Sequence, residues 1–287
     1  MLRRGADAVP RSVEELRTGF KALMATMIVP NAIRTSATTL GSRPALLVEP
    51  LADVRSGTIL YFHGGAFVFG SPETALSLTG NLVARTGVKA LSLDYRLAPE
   101  HPFPAAVDDA LSAYRALLAG GEDPSTIVFA GDSAGGALAV TTCLAARDAS
   151  LPLPAAIVAF SPGLDHGRTG RSMETKAGVD PIFTRTALER TSAMYLAGQD
   201  PRQRLLSPAI SADLTGFPPM LLQAGTNELL LDDSTRLAER ARNAGVDVIL
   251  DITADVPHVF QSFAGVLDEA DDALDRAALF LTQHLRG

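Results

Sequence analysis

The stretch TIVFAGDSAGGALAV, residues 126–140, decides how this chain is read. Thr126 to Ala130 make a buried-strand pattern, Gly131-Asp132-Ser133-Ala134-Gly135 interrupts it, and a helical pattern follows. The interruption is a G-x-S-x-G turn between strand and helix. A serine on so sharp a turn points its hydroxyl into open space at the carboxyl end of the strand. The next helix aims its free N–H groups and partial positive charge at the same spot, which suits a developing oxyanion. The competing reading makes Ser133 a helix cap at a packed turn.

Outward from this turn, short apolar runs alternate with helical patterns from about residue 45 to the end. Strands are expected at 45–50, 58–62, 89–95, 126–130, 155–160, 220–225 and 246–252, and helices near 72–86, 105–119, 134–147, 184–197, 233–244 and 266–285. In the last helix Leu267, Ala270, Leu274, Ala278, Leu281 and Leu285 share one face, and Asp268, Glu269, Asp272 and Asp275 read as the solvated opposite face. Such alternation predicts an α/β fold, a mostly parallel central sheet with helices on both faces. The first residues break the rhythm: VEELRTGFKALMATMIVP reads as an amphipathic helix leading to Pro30, with no strand of its own. Residues 1–44 are therefore read as an N-terminal cap segment and 45–287 as the main domain. The Arg-, Gly- and Pro-rich stretch 166–217 is read as contributing to a helical cap, with loose surface elaboration the alternative on pattern alone.

Composition narrows the functions. Of 287 residues 47% are hydrophobic and 20% charged, enough to bury a core and too apolar for a disordered chain. A net charge of −7 leaves no basic stripe for nucleic acid. The single cysteine, Cys143, excludes an internal disulfide and suits a reducing compartment. MLRRGADAVPRS lacks the apolar run of a secretory signal, and no stretch reaches the length of a membrane span. A cytoplasmic protein is expected. With no HExxH, CxxC, G-x-G-x-x-G or Walker pattern, neither metal nor cofactor is expected.

An acyl-transfer serine also needs N–H donors about 3 Å from the oxyanion it creates. The amide of Ala134 is one. Others must come from naked backbone, and ILYFHGGAFVFGS (59–71) offers it just past a strand end, where Gly64 and Gly65 carry no Cβ. Taken alone, the two glycines read as an ordinary turn; the serine turn downstream favours the oxyanion reading.

HGGA at 63–66, DYRLAPEHPFPAAVDD at 94–109, GDSAGG at 131–136 and PHVFQSF at 257–263 together resemble the hormone-sensitive-lipase-like, or group IV, esterases of the α/β-hydrolase fold. The resemblance implies Gly64 and Gly65 as oxyanion donors and a loop-organising role for His63. Ala66 stands where the family has a third glycine, and its intolerance of positive φ weakens its claim to be a donor. The family order of serine, acid, histidine and the match of PHVF at 257–260 imply His258, after the last strand pattern, as the general base; His284 reads as an exposed residue of the last helix. Glu228, the first acid after MLLQAG, is the expected orienting carboxylate, with Asp232 as the alternative. Phe67, Phe69, Met24, Phe20 and Met27 are candidate pocket walls, each equally explained by packing.

The expected activity is a serine carboxylesterase acting on small esters of short to medium acyl chain through an acyl-enzyme. A lactonase, amidase or deacetylase would use the same three residues. A ligand-binding receptor on an inactive hydrolase scaffold loses one of them, typically the histidine, and here all three positions are filled. The resemblance also implies a homodimer.

Overall fold

The structure, a computed structural model, describes residues 12–285. Residues 1–11, which hold all but the last residue of the stretch read as free of a secretory signal and begin the expected cap segment, lie outside the described residues. The strands are β1 (Ile33–Leu40), β2 (Arg43–Pro50), β3 (Arg55–Phe62), β4 (Val88–Leu93), β5 (Ile127–Asp132), β6 (Ala156–Phe160), β7 (Met220–Gly225) and β8 (Val248–Thr253). The helices are α1 (Val13–Met24), α2 (Leu76–Thr86), α3 (Ala105–Ala119), α4 (Ala134–Asp148), α5 (Ser172–Thr175), α6 (Arg185–Leu196), α7 (Pro208–Ser211), α8 (Leu231–Asn243) and α9 (Asp268–His284). The strands form one sheet in the order β1-β2-β4-β3-β5-β6-β7-β8, parallel from β4 to β8. This is the mostly parallel α/β sheet expected from the alternation.

Strand side chains alternate between two cores, because successive residues of a strand face opposite ways. Leu60, Phe62 and Phe129 pack with α3, α4 and α8 on one face. Ile59, Tyr61 and Val128 pack with α2 and α9 on the other. Burial on both faces explains why these strands read as continuous apolar runs.

One expectation fails. Residues 33–40, assigned to the cap segment with no strand expected there, form β1, which pairs antiparallel with β2 along its whole length, from Ile33 opposite Pro50 to Leu40 opposite Arg43. IRTSATTL is mostly exposed, as an edge strand can be, so it carries no apolar run to betray it. The N-terminal segment is therefore not cap throughout: β1 belongs to the sheet.

Strand order creates the site. β3 lies between β4 and β5, so the chain leaves β3 toward one edge and crosses back over it to start β5. The carboxyl ends of β3 and β5 are neighbours, with Phe62 in register with Gly131. The segments that follow, 63–66 and 133–135, flank one crevice, where ligands bind in open α/β sheets. Their approach is close. A Cβ on Gly135 would sit 1.9 Å from the carbonyl oxygen of Phe62, main chain that cannot swing aside. Gly135→Ala is expected to destabilise the fold by about 3–4 kcal/mol, read as a lower urea midpoint. Gly19→Ala in α1, where an added Cβ meets nothing within 4 Å, should be neutral or stabilising. Equal midpoints for the two variants would contradict this account.

Candidate active site

Ser133 has φ 53° and ψ −116°, a conformation that costs of order 1–3 kcal/mol in a residue other than glycine. It occupies the N-cap position of α4, yet its side chain makes no capping bond. Its hydroxyl instead lies 2.9 Å from Nε2 of His258. The ring's other nitrogen, Nδ1, is 2.9 Å from Oε2 of Glu228. Serine, imidazole and carboxylate thus form a continuous hydrogen-bonded chain, with Nδ1–H donating to Glu228 and Nε2 accepting from Ser133.

Three loops at the carboxyl edge of the sheet bring these residues together. His258 follows β8 and Glu228 follows β7, and their loops are tied by the Asn227 amide donating to the Val256 carbonyl at 3.2 Å. Glu228 is fully buried. Its Oε1 accepts from the amide of Gly225 and from the hydroxyl of Ser161 at 2.7 Å. Donors on both oxygens are what a buried carboxylate requires. Asp232 turns elsewhere: its Oδ2 accepts the amide of Ser172 at 2.9 Å.

Ser161 escaped the sequence reading. Just past β6 and fully buried, it donates to Glu228 and accepts the amide of Val259 at 3.0 Å, linking the acid to the histidine loop. Its only sequence signal is a small polar residue ending an apolar strand, in a segment, FSPG, that reads as a turn.

The glycine loop needs a correction. The Gly64 amide points to Asp132, whose Oδ1 accepts it at 3.0 Å along with the Tyr61 hydroxyl at 2.8 Å. Already bonded, it is not free for an oxyanion. Among the described residues the amides of Gly65 and Ala66 have no acceptor, and both residues line the cavity that holds Ser133. Ala134 is the first residue of α4, so its amide has no partner within the helix. The free donors are therefore those of Gly65, Ala66 and Ala134. Ala66 does adopt positive φ, 54°, and Phe67 after it 61°.

Such a loop has to be held. The Gly65 carbonyl accepts the amides of Val68 and Phe69 at 2.9 Å each, and a Cβ on Gly65 would lie 1.9 Å from the Phe69 carbonyl oxygen. Ala98 donates its amide to Phe67 O at 2.8 Å, while the Tyr95 hydroxyl donates to His63 O at 2.6 Å. The rings of Tyr95 and His63 stack at 4.1 Å. The HGGA and DYRLAP motifs are thus one structural unit. Burial pushes His63 down to about 4, so the ring is neutral and its Nδ1–H donates to Gly64 O at 2.8 Å. Burial likewise pushes Asp132 up to about 6, against the pull of its Tyr61 and Gly64 donors.

A cavity of about 200 Å³ opens over Ser133 and His258. Phe20, Leu23, Met24 and Met27 line it from α1 and the turn after it, Phe69 from the glycine loop, and Ile182 and Phe183 from the 166–217 stretch. α1 starts in a capping box of Ser12 and Glu15 and is fastened by Arg17, which donates to the carbonyls of Val68 and Ala98 and pairs with Glu100. Phe67 is not part of this wall. It is 3% exposed and stacks on Tyr195 at 3.9 Å, because its positive φ turns it into the core while Phe69 faces the cavity. Cys143 is buried within α4, in the core on that face of the sheet. Among the described residues no group of His, Cys, Asp and Glu is arranged to hold a metal, and no helix is long and apolar enough to cross a membrane.

Sheet order, serine turn and bonded histidine define the class of the α/β-hydrolases. Residues 59–262 match the family model described as the α/β-hydrolase fold. An acetyl-hydrolase of Streptomyces hygroscopicus is 43% identical over 243 residues, 85% of this chain and 81% of that protein. An esterase of Acinetobacter venetianus is 36% identical over 275 residues, 89% of each chain. The crystal structure of an esterase from the bacterial hormone-sensitive lipase family superposes with a TM-score of 0.94 at 39% identity, covering 99% of this chain and 96% of that one. The chain belongs to the hormone-sensitive-lipase-like esterases of the α/β-hydrolase family, and it is a carboxylic ester hydrolase.

Proposed function

We infer that the chain hydrolyses small carboxylic esters of short to medium acyl chain through a serine-bound acyl intermediate. The observation that carries this reading is the chain of 2.9 Å contacts from Ser133 through His258 to Glu228. His258 Nε2 takes the hydroxyl proton as Ser133 Oγ bonds to the ester carbonyl carbon, and Glu228 steadies the imidazolium. The carbonyl oxygen becomes an oxyanion facing the amides of Gly65, Ala66 and Ala134, donors that need no reorganisation to receive it. The intermediate collapses, the bond to the alcohol oxygen breaks, and that oxygen leaves with the proton from Nε2. Water then repeats the sequence: His258 takes its proton, its oxygen attacks the acyl carbon, and Oγ departs with the proton returned.

The cavity supports this substrate class. At about 200 Å³ it is smaller than the roughly 300–1,000 Å³ sites that take drug-sized ligands. Its walls are mainly Phe, Met, Leu and Ile, so an apolar acyl group gains by entering and a charged one loses its hydration unpaired. In this reading α1 and the 166–217 stretch act together as a cap. A cytoplasmic site of action belongs to it too, in keeping with a sequence whose single cysteine, Cys143, builds no disulfide framework.

A series of p-nitrophenyl esters from acetate to laurate tests the reading. The expected kcat/KM peaks between acetate and hexanoate and falls at least about tenfold by laurate, as the chain outgrows the cavity. A maximum at laurate would overturn the size argument, and binding of these esters without turnover would overturn the enzyme.

A further inference from the structure

The turn carrying Glu228 is built into the cap rather than into either face of the sheet. Leu229 and Leu230 pack in a small separate cluster with Met173 and Leu188, and Phe183 rests against it. Met173, Phe183 and Leu188 all belong to the 166–217 stretch. The polar groups follow the same division. The Leu229 amide donates to Oδ2 of Asp180 at 2.8 Å. The Leu229 carbonyl accepts the Ser172 hydroxyl at 2.7 Å. Both backbone groups of the residue next to Glu228 are therefore held by cap side chains.

Asp180 faces two ways. While Oδ2 holds Leu229, Oδ1 accepts the amides of Ile182 and Phe183 at 2.8 and 2.9 Å. These two residues form one wall of the ester cavity. Phe183 also meets the His258 ring edge-on, with centroids 4.8 Å apart and planes at 66°, so it covers the imidazole directly. Asp180 is 5% exposed, and no cation is bonded to it among the described residues. Its bonds are three backbone N–H groups, charge-assisted contacts stronger and more directional than neutral ones. A carboxylate so used fixes the backbone of both segments at once.

We propose that Asp180 is a positioning residue through which the cap sets both the wall of the ester cavity and the placement of Glu228 behind His258. It does not touch substrate. Displacement of the cap wall, by substrate or by mutation, moves the acid through one rigid carboxylate, so cap changes alter kcat as well as KM. The proposal rests on Glu228 being the acid that orients His258.

Asparagine separates the two arms. In Asp180→Asn the side-chain oxygen can still accept from Ile182 and Phe183, but the amide nitrogen meets the Leu229 N–H donor to donor and that link is lost. Asp180→Ala removes both arms. Ser172→Ala removes the second hold on Leu229 while sparing the cavity wall. The experiment measures kcat and KM for p-nitrophenyl acetate and hexanoate with all three variants and Glu228→Gln. Thermal midpoints and the low-field proton NMR signal of the His258 Nδ1–H accompany the kinetics.

Asp180→Asn should lower kcat on acetate roughly tenfold with KM little changed, and shift or broaden the Nδ1–H signal, since small misplacements of a catalytic group are costly. Ser172→Ala should act in the same sense, more weakly. Asp180→Ala should in addition change the hexanoate-to-acetate ratio by at least about threefold, because the wall loosens. If Asp180→Asn and Ser172→Ala lower only the thermal midpoint and leave kcat and the Nδ1–H signal as in the native chain, the coupling is wrong. These two variants decide the matter even if Asp180→Ala does not fold. Glu228→Gln with native turnover would instead bring down the triad reading, and this inference with it.

Discussion

Ser133→Ala is expected to lower kcat for p-nitrophenyl acetate by about 10⁶-fold, the scale on which nucleophile loss acts when a triad works as a unit. No neighbour can substitute. Among the described residues, Oγ is the only hydroxyl bonded to His258 Nε2, at 2.9 Å, where Gly65, Ala66 and Ala134 leave amides open. The fold should be untouched. Ser133 makes no side-chain capping bond, and alanine bears the same strain at φ 53° as serine does. The thermal midpoint should therefore stay close to native while turnover disappears. Residual activity of even a hundredth of the native rate would mean that another group attacks the ester.

Glu228→Gln is the second large effect, with kcat expected to fall about 10⁴-fold. The loss has a tautomeric origin. Glutamine can present its N–H to His258 Nδ1, which then accepts rather than donates and leaves the proton on Nε2, where Ser133 needs an acceptor. Asp232→Asn provides the contrast. That carboxylate holds the amide of Ser172 in the cap, so its loss should change kcat by less than the Glu228 variant by orders of magnitude. A collapse in Asp232→Asn with Glu228→Gln near native would reverse the assignment of the acid.

Much of the fold was legible because burial on both faces writes itself as apolar runs. β7 and α3 fall at the residues expected, and α4 and β6 differ from expectation by one residue at an end. β1 was not legible. Its residues serve hydrogen bonding along β2 and contribute little to the core, so burial left no pattern in IRTSATTL. Phe67 and Phe69 show a second limit: two residues apart, they should share a face of a strand. Positive φ at Ala66 and Phe67 breaks that parity and sends one ring to the core, the other to the cavity.

The candidate site divides in the same way. The serine turn and the glycines beside it are local necessities, since only certain residues tolerate that backbone, and the place after the last strand together with the family-like PHVF motif picks His258 from five histidines. Which amides stay open is not local. It turns on Asp132 reaching the Gly64 N–H from a neighbouring strand end, and on Tyr95 and Ala98 bracing the loop from a third segment. Ser161 and Asp180 were invisible for the same reason: each reaches the Glu228 turn through a bond to a partner distant in sequence.

By itself the sequence determined the layered architecture and the strained hydroxyl, because periodic burial and steric tolerance leave marks at the residues concerned, and it named the imidazole partner through its resemblance to a family motif. Only the tertiary structure decided which oxygen of which acid meets that imidazole, which main-chain donors remain unspent, and which aromatic ring faces the ester. Those are outcomes of competition for hydrogen-bond partners and volume, and no residue carries them until the rest of the chain has closed around it.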